Sequence, residues 1–142
     1  MTVRIGYTGR TDGVALRDVF ARVLARIGED PDFVYLDADL MSSVGTRDWA
    51  LAHPDKAFNM GVAEADMMGV AAGLAAAGFR PLVQTFGPFA SRRCFDQVFL
   101  SVAYSGRDLI VIGTDPGVTA AFNGGTHMPF EDVGLMRMIP SL

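Results

Sequence analysis

The sequence has 142 residues, of which 50% are hydrophobic and 20% are charged, and its 16 acidic and 12 basic side chains give a net charge of −4. This is the length of one ordinary domain, the apolar content excludes an intrinsically disordered chain, and the acidic excess argues against a general nucleic-acid binder. The single cysteine, Cys94, excludes an internal disulfide, and no apolar run approaches a membrane span or forms a signal-peptide core, so a soluble cytoplasmic protein without a membrane partner is expected.

The first half of the chain predicts helices separated by a strand. Residues 12–27 are typical of an amphipathic helix, because apolar side chains recur at spacings of three and four, and Gly28 suits its C-terminal end. A β-rich run over residues 33–40 predicts the first strand. Residues 47–56 form a short polar helix or a loop, and residues 64–77 predict a helix rich in small side chains.

The second half continues the alternation. Residues 81–86 predict a strand and residues 88–104 return to helical spacing. The nearly continuous apolar run over 108–115 predicts a strand buried on both faces. Counting the short run AFNMGV (57–62) before Glu64, residues 117–127 are expected to form a fifth strand and a glycine-rich turn, and a last short helix is expected over 131–138.

This alternation predicts an α/β domain with three αβα layers and a mostly parallel sheet. In such sheets, ligands bind outside the carboxyl ends of the strands. The rule selects the segments in which site residues are expected, which are Asp37–Ser43, Met60–Glu64, Phe86–Arg92, Gly113–Gly117 and Asn123–His127.

Several of these residues have both a structural and a functional interpretation. Glu64, at a predicted helix N-terminus, either complements the helix dipole or is a partly buried acid that exchanges a proton with a ligand. Phe86 and Phe89 are either core residues or a platform for a flat heterocycle. Of Arg92 and the next residue, Arg93, one is expected to be solvated and the other to serve an anion or a partner's carboxylate.

Three segments together resemble a known family. The runs LDADL (36–40), FNMGVAEADMMGVAAGLAAAGFRPLVQTFGPFASRRCFDQV (58–98) and GGTHMPFEDVGLMRMIP (124–140) are similar to the pyrimidine-binding domain of transketolases and of the related deoxyxylulose-phosphate synthases. The resemblance implies a single pyrimidine-binding domain over residues 1–142, with the thiamine-diphosphate-binding fold of that family. It also implies that the domain's last elements and the family's C-terminal domain lie outside this sequence, and the start at Met1 resembles the C-terminal subunit of a split transketolase.

The resemblance implies thiamine diphosphate as the cofactor. Glu64 ends the run Gly61-Val62-Ala63-Glu64, which matches the family motif whose glutamate hydrogen-bonds the ring nitrogen of the cofactor's aminopyrimidine. Phe86 and Phe89 match the aromatic residues that pack on that ring. Arg92 falls where the synthases commonly have arginine, and Asp39 matches an acid near the cofactor and the subunit interface.

For the substrate, the resemblance implies a sugar phosphate. His127 matches a histidine that contacts the sugar, and Arg10 and Ser43 fall at positions that bind the sugar's phosphate. The family commonly reads DGPTH where this chain has NGGTH at 123–127, and Ala65 and Asp66 follow Glu64 in place of the family's usual residues. These departures concern the substrate more than the cofactor.

The family's magnesium and diphosphate site belongs to a separate domain, so the resemblance implies half a site, completed by a diphosphate-binding partner in a homodimer or a heterotetramer. The expected activity is transfer of a two-carbon ketol unit between sugar phosphates. Two alternatives stay open. Arg92 and Asp96-Gln97 favour a deoxyxylulose-phosphate synthase or the β subunit of a 2-oxoacid dehydrogenase, and an orphan domain without catalysis would be an interaction module.

Overall fold

A computed structural model describes residues 13–140 and residue 142, and four parallel strands form its centre. The strands are β1 (Phe33–Asp37), β2 (Ala57–Asn59), β3 (Arg80–Phe86) and β4 (Ile110–Thr114). Their order across the sheet is β2-β1-β3-β4, and each neighbouring pair is parallel. The predicted α/β class with a parallel sheet is therefore confirmed.

Helices connect the strands and cover both faces of the sheet. They are α1 (Leu16–Ile27), α2 (Arg47–Ala52), α3 (Glu64–Ala76), α4 (Gly87–Ser91), α5 (Phe95–Gln97), which continues as a π-helical stretch (Val98–Tyr104), and α6 (Asp132–Arg137). Two short 3₁₀ turns, Ala121–Asn123 and Gly125–His127, precede α6. None of the helices described is both long enough and apolar enough to cross a membrane.

The two faces of the sheet carry separate hydrophobic cores. On one face, Val34 and Leu36 of β1 pack with α3 and the π-helical stretch. On the other face, Phe33 and Tyr35 pack with Leu24 of α1, and α2 contributes Trp49. Because side chains alternate along a strand, a strand at the centre of three layers is apolar on both faces. This is the predicted αβα arrangement.

Three expectations for the second half were wrong. Residues 117–127 contain no strand; they form turns and 3₁₀ helix. The strand over 110–114 is not buried on both faces, because it lies at the edge of the sheet and Ile110 is 54% exposed. The helix predicted over 88–104 is interrupted, since Cys94 leaves the helical region with φ −124° and ψ 23°.

Close backbone contacts bring α4 onto β4. A Cβ added to Gly87 would meet the Pro129 side chain at 2.9 Å, and one added to Gly113 would meet the Cα of Gly87 at 2.9 Å. Only glycine allows this approach without a shift of the backbone. These two contacts hold the start of α4 against the carboxyl end of β4, with Pro129 packed on Gly87.

Candidate functional site

Glu64 is the first residue of α3 and lies at the carboxyl end of the sheet, as the sequence predicted. Gly61, with φ +71°, accepts a hydrogen bond from the amide of Ala63 at 2.8 Å and so forms the tight turn that leads into the helix. The turn directs the Glu64 side chain inward, where only 1% of its surface is exposed. A carboxylate at this depth requires compensating donors or a proton.

Arg93 and Thr85 supply those donors. One terminal nitrogen of Arg93, Nη1, lies 2.7 Å from Oε1 and 2.8 Å from Oε2 of Glu64. The Thr85 hydroxyl, near the end of β3, donates to Oε1 at 3.2 Å. The ion pair joins a buried acid to a base whose side chain is 40% exposed. The sequence predicted one solvated arginine and one that serves an anion or a partner's carboxylate, whereas in the structure both pair with carboxylates of their own chain, Arg93 with Glu64 and Arg92 with Glu131.

The guanidinium of Arg93 also lies over an aromatic ring. Its central carbon is 3.5 Å from the centroid of the Phe89 ring, a cation–π contact. Arg93 therefore touches the proposed acid and a proposed ring-packing residue at the same time. Sequence reasoning did not place Arg93 in the site, because its contact with Glu64 joins two elements 29 residues apart in the chain.

Phe86, Phe89 and His127 form an aromatic cluster beside this ion pair. The ring centroids of the two phenylalanines are 6.1 Å apart, and His127 packs edge-on at 5.4 Å from Phe86 and 5.0 Å from Phe89. The Nδ1 atom of His127 lies 2.9 Å from the hydroxyl of Thr126. The structure thus brings together a buried acid, two aromatic rings and an imidazole, all predicted as site residues.

Arg92 holds the turn that carries His127. Its guanidinium contacts the Glu131 carboxylate at 3.0 Å and donates to the backbone carbonyl of Thr126 at 3.1 Å. The contact with Thr126 links the end of α4 to the Gly125–His127 turn, and the contact with Glu131 links it to the start of α6. Arg92 is therefore connected to the site indirectly, through the Thr126 carbonyl next to His127. Its side chain is occupied by contacts within its own chain.

Asp39 and Ser43 lie in the exposed loop after β1. Asp39 has φ +67° and accepts a hydrogen bond from the side-chain Nδ2 of Asn59 at 2.9 Å, while the side-chain Oδ1 of Asn59 accepts from the backbone amide of Gly61 at 2.9 Å. Asp39 is thus linked to the turn before α3. Within the described residues no hydrogen bond joins the Ser43 side chain to this group, and Arg10 lies outside the described residues.

A second buried acid at this end of the sheet was not expected from the sequence. Asp37, the last residue of β1, accepts hydrogen bonds from the Tyr35 hydroxyl at 2.8 Å and from the amide of Leu40. The Tyr35 hydroxyl also lies 3.0 Å from the Thr46 hydroxyl. Burial raises the pKa of Asp37 above its usual value. The i, i+2 spacing of Tyr35 and Asp37 on one strand face was the sequence signal for this network.

Cys94 is buried at the bend between α4 and α5, close enough to Glu64 to feel its charge. Its thiol donates to the backbone carbonyls of Phe89 and Ala90 at 3.2 and 3.3 Å. Burial, and then the nearby charge of Glu64, raises the pKa of the thiol to about 12. A thiol with that pKa is structural at neutral pH, because the thiolate is the reactive form.

Comparisons with known proteins agree on one family. The sequence profile described as "Transketolase, pyrimidine binding domain" matches residues 12–142. The 6-deoxy-6-sulfo-D-fructose transketolase subunit SqwH of Clostridium sp. (strain MSTE9) is 50% identical over 128 residues, which are 89% of this chain and 40% of that protein. A protein named "Putative transketolase C-terminal section" from Methanocaldococcus jannaschii is 36% identical over 128 residues, again 89% of this chain and 40% of that protein. The 1-deoxy-D-xylulose-5-phosphate synthase of Thermobifida fusca is 34% identical over 95% of this chain and 22% of its own length.

Solved structures show the same similarity in three dimensions. A split-gene transketolase, described as an inactive beta4 tetramer, superposes with a TM-score of 0.76 at 40% identity and covers 91% of this chain and 41% of its own. The transketolase of Pichia stipitis in complex with sedoheptulose 7-phosphate has a TM-score of 0.79 at 27% identity, over 94% of this chain and 22% of its own. The chain therefore spans about two fifths or less of the relatives compared.

Proposed function

Because the chain belongs to the transketolase family, as its pyrimidine-binding domain, we propose that it supplies the pyrimidine half of a thiamine diphosphate site. The observation that carries this proposal is the pairing of a buried glutamate with aromatic rings at the carboxyl end of a parallel sheet. Open α/β sheets bind ligands at that end. A flat heterocycle with a ring nitrogen needs both a polar partner and an apolar face, and Glu64 and Phe89 offer the two side by side.

The proposed roles follow from the chemistry of each side chain. Glu64 holds a proton against the ring nitrogen of the aminopyrimidine. An amide in place of the acid cannot transfer that proton. Phe86 and Phe89 pack on the ring and exclude water from it. His127 packs edge-on to both rings and is the proposed contact of the sugar. The bound cofactor supplies the electron sink for carrying a two-carbon ketol unit.

The remaining proposed contacts lie around this centre. Arg92 contributes by fixing the turn of His127, and Asp39 by fixing the turn before α3 through Asn59. Arg10 and Ser43 stay proposed contacts of the sugar phosphate, on the strength of the family resemblance.

We propose that Mg²⁺ and the diphosphate are held by a separate diphosphate-binding subunit or domain, in a homodimer or a heterotetramer. Two relatives are named a transketolase subunit and a C-terminal section, and the chain matches 40% of each, which supports a divided enzyme. We propose a cytoplasmic location, which is compatible with the buried free thiol of this chain's one cysteine, since that thiol needs no oxidising compartment.

The proposed reaction is ketol transfer between sugar phosphates. The relative at 50% identity is named for a sulfonated ketose, so a sugar that ends in a sulfonate is a second donor candidate within the same reaction. The synthases at 32% to 34% identity favour a second function in which pyruvate is the donor. Asp96-Gln97 and Arg92 are the residues that favour it.

The test uses the chain together with the polypeptide that co-purifies with it. Thiamine diphosphate and Mg²⁺ are added with an aldose phosphate as acceptor and with a ketose phosphate, 6-deoxy-6-sulfo-D-fructose or pyruvate as donor, and the products are separated by mass. We expect the aldose acceptor to be lengthened by two carbons and one of the ketose donors to be shortened by two. Pyruvate decarboxylation without ketol transfer would support the synthase or 2-oxoacid dehydrogenase alternative, and failure of the complex to bind thiamine diphosphate would leave an interaction module.

A further inference from the structure

The guanidinium of Arg93 makes the two contacts that the proposed site offers to a flat nitrogen-containing ring. It donates through one nitrogen to both carboxylate oxygens of Glu64, at 2.7 and 2.8 Å. It also covers a face of the Phe89 ring at 3.5 Å, the distance of direct stacking. A guanidinium is planar and delocalised, and it binds carboxylates and aromatic faces in the manner of a protonated heterocycle.

We propose that Arg93 occupies the place of the aminopyrimidine ring in the unliganded chain and leaves Glu64 when the cofactor binds. This inference rests on the proposed function, since it concerns the same site. A ring that reached the Glu64 carboxylate and this face of Phe89 would overlap the guanidinium. Arg93 is therefore a competitor of the cofactor, built into the chain.

The ion pair keeps the site formed before the cofactor arrives. A carboxylate as deeply buried as that of Glu64 needs a counter-charge or a proton, and the Thr85 hydroxyl alone supplies a single neutral donor. Arg93 provides the counter-charge without any ligand. The carboxylate and the Phe89 ring are thus held in place in advance.

Arg93 is also able to leave. Its side chain is 40% exposed, so the guanidinium exchanges its partner for water without crossing the core. It follows the end of α4, directly before the residue at which the helical conformation is interrupted.

Cofactor affinity tests this proposal. Arg93→Met keeps an unbranched side chain over Phe89 and removes the charge, and Arg93→Lys keeps the charge but not the planar group. In the complex of the chain with its partner subunit, we expect Arg93→Met to lower the dissociation constant of thiamine diphosphate about 10-fold, because the competing state is removed. The lysine variant should fall between Arg93→Met and the wild type. Arg80→Met, which removes an exposed arginine from its ion pair with Asp30, is the control and should bind as the wild type does.

Each result decides between the alternatives. Weaker or unchanged binding by Arg93→Met, with thermal unfolding showing a folded complex, would overturn the competition between Arg93 and the cofactor while leaving the proposed function in place. Absence of thiamine diphosphate binding by the wild-type complex would overturn both.

A measurement on the wild type covers the case in which Arg93→Met does not fold. The complex is labelled with ¹⁵N-arginine, and the Arg93 side-chain Nε–H signal is assigned by its loss in Arg93→Lys. We expect this signal to shift and to exchange faster with water when thiamine diphosphate is added. An unchanged signal at saturating cofactor contradicts the proposal.

Discussion

Two carboxylates are buried at the same end of the sheet, and they are compensated in opposite ways. Asp37 is 0% exposed and takes its hydrogen bonds from neutral donors, the Tyr35 hydroxyl and backbone amide groups. Glu64 is nearly as deep, but its main partner is the charged and half-exposed side chain of Arg93. Burial alone therefore does not distinguish a structural acid from a functional one.

The difference lies in whether the partner is able to leave. The donors to Asp37 are the hydroxyl of Tyr35, a buried residue of β1 that packs against Trp49, and the amide of Leu40 in the loop after the strand. They hold the acid in a closed network, and burial without a counter-charge raises its pKa. Arg93 lies between the buried acid and solvent, so Glu64 is the carboxylate that a ligand is able to reach.

The largest expected effect is on turnover. Glu64→Gln keeps the size of the side chain and removes the transferable proton, so we expect ketol transfer by the assembled enzyme to fall at least about 100-fold. Glu29→Gln, the same change at an exposed acid after α1, is the matched control and should keep wild-type turnover. Turnover of Glu64→Gln within a few-fold of the wild type would remove Glu64 from the chemistry.

The next effect is on stability, and it concerns the other acid. Asp37→Ala leaves the Tyr35 hydroxyl and the Leu40 amide without their acceptor in the core, so the free energy of unfolding should fall by about 2–3 kcal/mol. Urea unfolding of the chain measures this change, with Asp48→Ala, at an exposed acid of α2, as the control. A loss no greater than that of the control would mean that the Asp37 network does not stabilise the fold.

A smaller effect separates two arginine–carboxylate pairs of equal length. Arg93–Glu64 and Arg80–Asp30 both measure 2.7 Å, but the first carboxylate is buried and Arg80 is 72% exposed. Because solvent screens the half-exposed Arg93, we expect Arg93→Met to lower the free energy of unfolding by only about 1–2 kcal/mol. Arg80→Met should leave the urea midpoint unchanged. Equal effects of the two substitutions would show that burial of Glu64 does not matter.

The smallest effect is on the reactivity of the thiol beside Glu64. Because burial and the charge of Glu64 raise the pKa of Cys94 to about 12, the thiol stays protonated throughout the neutral and mildly alkaline range. We expect iodoacetamide to leave Cys94 unmodified in the folded chain at pH values up to about 9 and to alkylate it once urea unfolds the chain, as measured by intact mass. Rapid alkylation of the folded chain would place Cys94 at the surface.

The sequence predicted the elements that local pattern controls. The α/β alternation, the helix beginning at Glu64 and the strand ending at Phe86 follow from periodicity and turn residues, and the structure confirms them. The family resemblance supplied the roles of Glu64, Phe86, Phe89 and His127, which stay predictions. The contacts among these residues could not be derived from their spacing, because they lie on three separate segments.

Where the prediction was wrong, long-range contacts decided the outcome. Apolar residues over 108–115 are compatible with a central or an edge strand. Among the strands of the described residues, β4 pairs with β3 alone, and this pairing places it at the edge. The helical spacing over 88–104 continues through the bend at Cys94, so periodicity does not reveal it. The bend matters because it turns Arg93 back toward α3.

By itself, the sequence determined the fold class, the layers and the family, because periodicity and motif spacing are properties of short segments that the chain carries wherever it folds. Only the tertiary structure decided which acid is closed off and which is accessible, and which arginine compensates Glu64. Those outcomes depend on burial and on distances between side chains of different elements. The charged and polar groups that compensate a buried carboxylate act over a few ångströms. At that range, residues far apart in sequence become neighbours only through packing.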